Sequence, residues 1–220
     1  MVTLSGKNAC LHELNGPSLA QVFRPVSCDL QAVQERLAET LRNTNDPFIR
    51  EIVDYLLESP GKRVRPALAL LSARAACGAG NGSPEFNGAS ISVAAAVELI
   101  HMASLVYDDL IDGAAACHHR ASIQAKWGKR ISVAVGDHLC AKAFQLVADC
   151  ADPRLFALLG SQLRVMCRGE IEQVLGRGDF GFSERRCLAL VEKKTAALFG
   201  ACCGAGAVTT VGEPMVWKAL

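Results

Sequence analysis

The stretch that decides the fold is "ELIHMASLVYDDLID", residues 98–112. Its apolar residues recur with a helical period on most sides, yet it ends in the carboxylates Asp108, Asp109 and Asp112. Each helical residue advances about 100°, so with His101 as zero Asp108 falls about 20° to one side and Asp112 about 20° to the other. Asp109 lies at roughly 80°, just off that face. Like charges four residues apart repel, and the helix dipole disfavours anions at this end. A divalent cation between the carboxylates would resolve both conflicts. Oxygen-only ligands with room for water suit Mg²⁺, which takes one or two carboxylates and completes its shell with substrate phosphates. The competing reading is a solvated acidic end that stops the helix before Gly113. A bare DDxxD does not choose between the two.

Working outward, the rest of the chain also reads as helices. Leu30, Val33, Leu37 and Leu41 form one apolar stripe. Asp46-Pro47 pairs an N-cap with a first-turn proline and opens a helix with Phe48, Ile49, Ile52, Val53, Leu56 and Leu57 inward. "SPGKRVRP" breaks that helix, and Pro66 is expected to start the next, "PALALLSARAAC". "GAGNGSPEFNG" reads as a loop before the long helix at 89–112, and "GAAACHHRASIQAKWG" as a partly helical connector after it. Residues 130–150 form a further apolar helix. Asp152-Pro153 caps another running to about Gly176, and Ser183 caps the last, through "LALVEKKTAALFGACC". No segment alternates as a strand does between turn signals. The expected fold class is all-α.

Bulk properties narrow the function. The 220 residues suffice for one core and are half hydrophobic with few aromatics, which suits close-packed helices. A net charge of +1 gives no global attraction to nucleic acid or anionic membrane. The ten cysteines form no CxxC pair and match no zinc spacing, as expected of free thiols in a reducing cytoplasm. No stretch reaches bilayer-spanning length without interruption by charge, so no transmembrane segment is expected. Residues 1–28 lack the apolar run of a signal peptide; their poverty in acids keeps a transit-peptide reading open. They are expected to form a poorly ordered extension, with the folded domain at 29–220.

Residues 61–66 read "GKRVRP" and crowd Lys62, Arg63 and Arg65 before a helix start. Such a turn suits phosphate oxygens, although a basic surface turn looks the same in isolation. Paired with the acidic helix end, it suggests two diphosphates, one bridged by metal and one held by cations.

"GKRVRP", "ELIHMASLVYDDLID", "VGDHLCAKAFQ", "GEIEQ" and "KKTAALFGACC" stand in the order found in trans-polyprenyl diphosphate synthases. From about residue 29 onward the chain resembles that family, and most of all its long-chain, octaprenyl diphosphate synthase-like members. The resemblance implies an isoprenoid synthase-type helical bundle around a deep pocket, usually a homodimer. It implies a Mg²⁺-dependent prenyltransferase that condenses isopentenyl diphosphate with an allylic prenyl diphosphate. Lys62, Arg63, Arg65 and His101 fall in the blocks that bind isopentenyl diphosphate. Asp108, Asp109 and Asp112 fall where the family holds Mg²⁺. Lys194, Thr195 and Gln173 fall where it contacts the allylic diphosphate and the reacting region. Ala103 and Ser104, one turn before Asp108, are small where a bulky residue would block elongation, which favours a long product or simply permits close helix packing.

Two departures from the family pattern matter. Two adjacent arginines normally follow the aspartate motif; here an ungapped match puts Cys117 and His118 there, with His119 and Arg120 close enough to compensate after a small shift. No second DDxxD occurs before the sequence ends at "VGEPMVWKAL", so the fold is expected to be C-terminally truncated. The alternative to an enzyme is therefore a catalytically impaired or non-catalytic subunit that pairs with a complete synthase. A terpene cyclase also uses DDxxD, but it has no need of "GKRVRP" with His101.

Overall fold

The structure is a computed structural model and describes residues 17–59, 61–77, 88–117, 120–177 and 183–210. In chain order it contains α1 (Leu19–Phe23), a 3₁₀ turn (Arg24–Val26), α2 (Ser27–Arg42), α3 (Pro47–Leu57), α4 (Val64–Ala76) and α5 (Gly88–Asp112). Two-residue strands follow, β1 (Ala116–Cys117) and β2 (Arg120–Ala121), then α6 (Ile123–Trp127), α7 (Lys129–Asp149) and α8 (Pro153–Leu175). The chain continues through α9 (Glu184–Val191), a wide π turn (Glu192–Ala196) and α10 (Ala197–Val208).

The expected all-α architecture is present, organised around α5. That helix packs against α2, α4, α7 and α10. Val93 to Val97, Leu99, Ile100 and Ala103 are all buried, which explains a helix apolar on nearly every side. α5 and α7 are both long and apolar enough to cross a membrane by length and composition. In α5, 72% of the apolar window is buried inside the protein and Glu98 interrupts it, the signature of a core helix. The α2 stripe is as expected: Val33, Leu37 and Leu41 are fully buried, each contributing about 1.5–3 kcal/mol of transfer free energy. Packing begins upstream of residue 29, however, because Val26 is completely buried and α2 starts at Ser27.

The local signals that act over a few residues appear in the structure. The Asp46 side chain accepts from the amides of Phe48 and Ile49. Asp152 caps α8 through Arg154 N–H, and Ser183 caps α9 through Arg186 N–H. Four expectations are corrected. Phe48 is 45% exposed rather than inward. α4 begins at Val64, so Pro66 stands in its first turn and does not start it. The connector is helical in part, as expected, at α6, but it also carries a β1–β2 ladder, pairing Ala116 with Ala121 and Cys117 with Arg120, where no strand is expected. The final helix is interrupted by the π turn at 192–196. The loop expected at 78–88 falls mostly outside the described residues.

Small residues let α10 approach its neighbours. A Cβ on Gly206 would overlap the carbonyl of Ala69, so α4 and α10 touch backbone to backbone there. On α8, a Cβ on Gly169 would stand 2.8 Å from Lys193 Cβ and 3.2 Å from Lys194 Cγ. The glycine of "GEIEQ" therefore lets the wide turn settle against α8.

Candidate active site

The C-terminal half of α5 separates two groups of charged side chains. On one flank lies a cleft of about 650 Å³. It is lined by Lys62, Arg63 and Arg65 from the turn into α4, by His101 and Asp109 from α5, and by Cys117 and Arg120 from the ladder. Leu56, Val64, Met102, Leu105, Val106 and Ile123 supply apolar wall. Tyr55 and Trp127 pack edge to face at 5.1 Å at the rim, with Arg120 over the Tyr55 ring at 4.1 Å.

The basic residues differ in how they are held. Lys62 is exposed. The Arg65 guanidinium lies 5.0 Å from the centroid of the Phe199 ring, and its buried Nε has no hydrogen-bond partner among the described residues. Burial lowers the Arg65 pKa, against the pull of Cys202 and Glu98. Arg63 is the correction here. It lines the cleft, but its Nη1 donates to Glu98 Oε1 at 2.6 Å and its Nε to Gln34 Oε1 at 3.0 Å, so it serves as a structural ion pair. Glu98 was missed in the sequence although it opens the deciding stretch. A carboxylate in a run of apolar residues was the available signal.

On the other flank the second half of α8 meets the wide turn. Lys194 Nζ stands 3.4 Å from Asp108 Oδ1, donates to Gln173 Oε1 at 3.0 Å, and pairs with Glu170. Lys193 pairs with Glu172 at 2.5 Å, so the two lysines of "KKT" each meet one acid of "GEIEQ". Asp112 pairs with Arg177, which also donates to the Ile111 carbonyl at 3.2 Å. Burial pushes the Asp108 carboxyl above the usual range; Lys194 opposes that shift and the neighbouring Glu170 adds to it. Burial pulls Lys194 down, but Glu170 and Asp108 outweigh it and hold its ammonium above the usual value. Thr195 is exposed in the wide turn.

The acidic residues are divided differently from the helical-wheel reading. Asp109, not Asp108 or Asp112, lines the cleft with His101. Asp108 and Asp112 turn toward the basic groups beyond α5, because α8 and the wide turn pack on that flank. Ala103 and Ser104 are corrected too. They do not share one direction: Ser104 lies about 40° from Asp108 on the wheel, and Ala103 about 140° away. Ala103 is buried in the core, and Ser104 turns its hydroxyl back onto the His101 carbonyl at 2.8 Å. Neither lines the basic cleft.

At the departure from the arginine pair, His118 and His119 lie outside the described residues. Cys117 lines the cleft as a neutral thiol, its pKa pushed up to about 11 by burial and then by a hydrogen bond with Asp109. Arg120 also reaches the cleft, but its guanidinium is engaged by Glu58 at 2.7 Å and by the Tyr55 carbonyl at 3.2 Å.

The donor set bears on a metal. Among the described residues no group of three or more Asp, Glu, His or Cys side chains gathers closely enough to hold an ion alone. Asp108 and Asp112 instead offer hard oxygens beside cations, the pattern for an ion that takes few protein ligands and completes its shell from water and phosphate. Mg²⁺ fits that description.

Known proteins share the sequence pattern and the fold. A sequence profile of the polyprenyl synthetase family matches residues 46–219. The chain is 37% identical over 199 residues to heptaprenyl diphosphate synthase component 2 of Geobacillus stearothermophilus, covering 90% of this chain and 60% of that protein. It is 33% identical over 204 residues to octaprenyl diphosphate synthase of Haemophilus influenzae, covering 92% and 59%. A polyprenyl synthase from Caulobacter crescentus, crystallised with calcium and isoprenyl diphosphate, superposes with a TM-score of 0.83 at 30% identity, over 92% of this chain and 59% of that one. The chain thus spans about 60% of the length of these relatives.

Proposed function

The chain belongs to the polyprenyl synthetase family, and from that premise we propose that it condenses isopentenyl diphosphate with an allylic prenyl diphosphate in the cytoplasm, with Mg²⁺ as cofactor. The observation that carries the reading is the pair of charged groups flanking α5: a cleft with Lys62, Arg65 and His101, and the Asp108–Lys194–Gln173 cluster with Asp112 beside it. Two diphosphates need two such sites.

In this reading Asp108 and Asp112 are the residues that would hold the metal beside the allylic diphosphate. Bound there, Mg²⁺ would neutralise charge on the departing diphosphate. Lys194 already points an N–H fork at Asp108 and Gln173, and it would donate to a diphosphate oxygen as negative charge grows on it. The allylic C–O bond breaks, and its electron pair leaves with diphosphate. Lys62, Arg65 and His101 hold isopentenyl diphosphate so that its double bond attacks the allylic carbon. The new C–C bond forms, and a proton passes to the released diphosphate. Met102, Leu105, Val106 and Ile123 supply hydrocarbon to the cleft wall, where they would limit water around the reacting double bond.

A long product is supported by the names of the heptaprenyl and octaprenyl relatives. A dimer, homomeric or with a complete synthase, belongs to the same proposal. A second reading, a subunit that serves a complete synthase, draws on Cys117 in the cleft and on two relatives named as component 2 of heptaprenyl diphosphate synthase. Incubation of the purified chain with Mg²⁺, farnesyl diphosphate and labelled isopentenyl diphosphate separates the two. Radiolabelled polyprenyl product supports the enzyme. Product that forms only after a full-length homologue is added supports the subunit.

A further inference from the structure

We propose that Glu98 is a positioning residue: it clamps Arg63 and so fixes the turn that presents Lys62 and Arg65 to the cleft. The inference rests on the reading of that cleft as the isopentenyl diphosphate site.

Glu98 is 3% exposed and stands among the apolar residues of α5. An isolated carboxylate there would be costly, and the burial is tolerated because Arg63 Nη1 meets its Oε1 at 2.6 Å. Arg63 in turn has φ 51° and ψ 34°, the left-handed region that long side chains seldom occupy. It is the residue before α4, and no side chain caps that helix. Its guanidinium is gripped from two other helices, by Glu98 of α5 and by Gln34 of α2 at 3.0 Å.

The turn is laid over this grip. A Cβ on Gly61 would stand 3.5 Å from both Arg63 Nη1 and Glu98 Oε1. Lys62 and Arg65 thus flank a residue whose unfavourable backbone is held by a buried ion pair. If Arg63 relaxed to a right-handed conformation, the chain would enter α4 from another direction and Lys62 would shift relative to Arg65 and His101. Glu98 lies three residues before His101 on α5, so the clamp and the imidazole share one rigid element. The carboxylate also offsets the mutual repulsion of three cations within four residues.

The test is titration calorimetry of the full chain with isopentenyl diphosphate, and separately with farnesyl diphosphate plus Mg²⁺. Glu98→Gln should weaken isopentenyl diphosphate by about tenfold or more and leave farnesyl diphosphate within about twofold. Glycine adopts the left-handed region without penalty, so adding Arg63→Gly should recover isopentenyl diphosphate affinity to within about threefold of wild type. Gln34→Met keeps the ion pair, folds if Glu98→Gln does not, and should cost about threefold. Unchanged isopentenyl diphosphate affinity in both Glu98→Gln and Gln34→Met overturns the proposal. Equal loss for both ligands, or failure of glycine to rescue, does the same. If wild type binds neither ligand, the functional reading fails and the clamp is judged by hydrogen exchange. Faster exchange of residues 61–67 in Glu98→Gln, reversed by Arg63→Gly, then supports it, and unaltered exchange overturns it.

Discussion

Lys194 Nζ lies 3.4 Å from Asp108 Oδ1, so the wide turn before α10 is tied directly to the acidic end of α5. The same ammonium also engages Glu170 and Gln173 of α8. Three segments far apart in sequence thus meet at one cation. A diphosphate with its metal would enter a site where the countercharges already stand in place, which lowers the reorganisation needed during bond cleavage.

Removing either acid should break this flank. Asp108→Ala and Asp112→Ala are each expected to abolish the Mg²⁺-dependent part of allylic diphosphate binding. Titration with and without the metal checks it; affinity that still rises with Mg²⁺ in both variants refutes the assignment.

The opposite flank should respond to the other ligand. Lys62→Ala is expected to weaken isopentenyl diphosphate by roughly tenfold, the loss of one charge-assisted contact. Allylic diphosphate binding should stay within about twofold, because Lys62 lines only the basic cleft. A parallel fall in both affinities would contradict two separate sites.

Gly206→Ala should be among the most destabilising small substitutions in the protein. The added methyl meets the Ala69 backbone carbonyl, which has no rotamer to yield. A cost of about 3 kcal/mol or more is expected, read as a shifted denaturant midpoint at constant slope. Gly200→Ala, where a Cβ meets nothing within 4 Å, is the control and should not destabilise.

Asp152 carries a pH-dependent share of stability. Its carboxylate caps α8 and receives hydrogen bonds from Arg154, which hold its pKa below the ordinary value. The unfolded chain therefore takes up the proton first as pH falls, and the stabilisation is complete only above the ordinary carboxylate pKa of about 4. Asp152→Ala should cost about 1 kcal/mol near neutral pH. The gap in denaturation midpoints between variant and wild type should close as pH drops through that value; a gap independent of pH would contradict the cap.

What could be read in the sequence depended on range. Asp46, Asp152 and Ser183 act on amides two or three residues away, so their roles follow from neighbours alone. The α5 pattern was legible because a helix buried on nearly all sides needs no partner to be recognised. Asp109 and Asp108 traded places because the wheel fixes angles within a helix but not which flank meets α8. Arg63 looked like an open cation because its partners are 29 and 35 residues away. The β1–β2 ladder has two residues per strand, too short for alternation to register.

The π turn at Glu192–Ala196 changes how the final helical segment is clocked. Five residues separate Lys194 from Phe199, a spacing that on an unbroken α-helix would set them about 140° apart. The wider turn advances each of its residues by less than an α-helix does, so it narrows the angle between the ammonium beside Asp108 and the Phe199 ring beside Arg65. Excising the turn's surplus residue would leave the composition almost intact while rotating Lys194 relative to Phe199 about the helix axis.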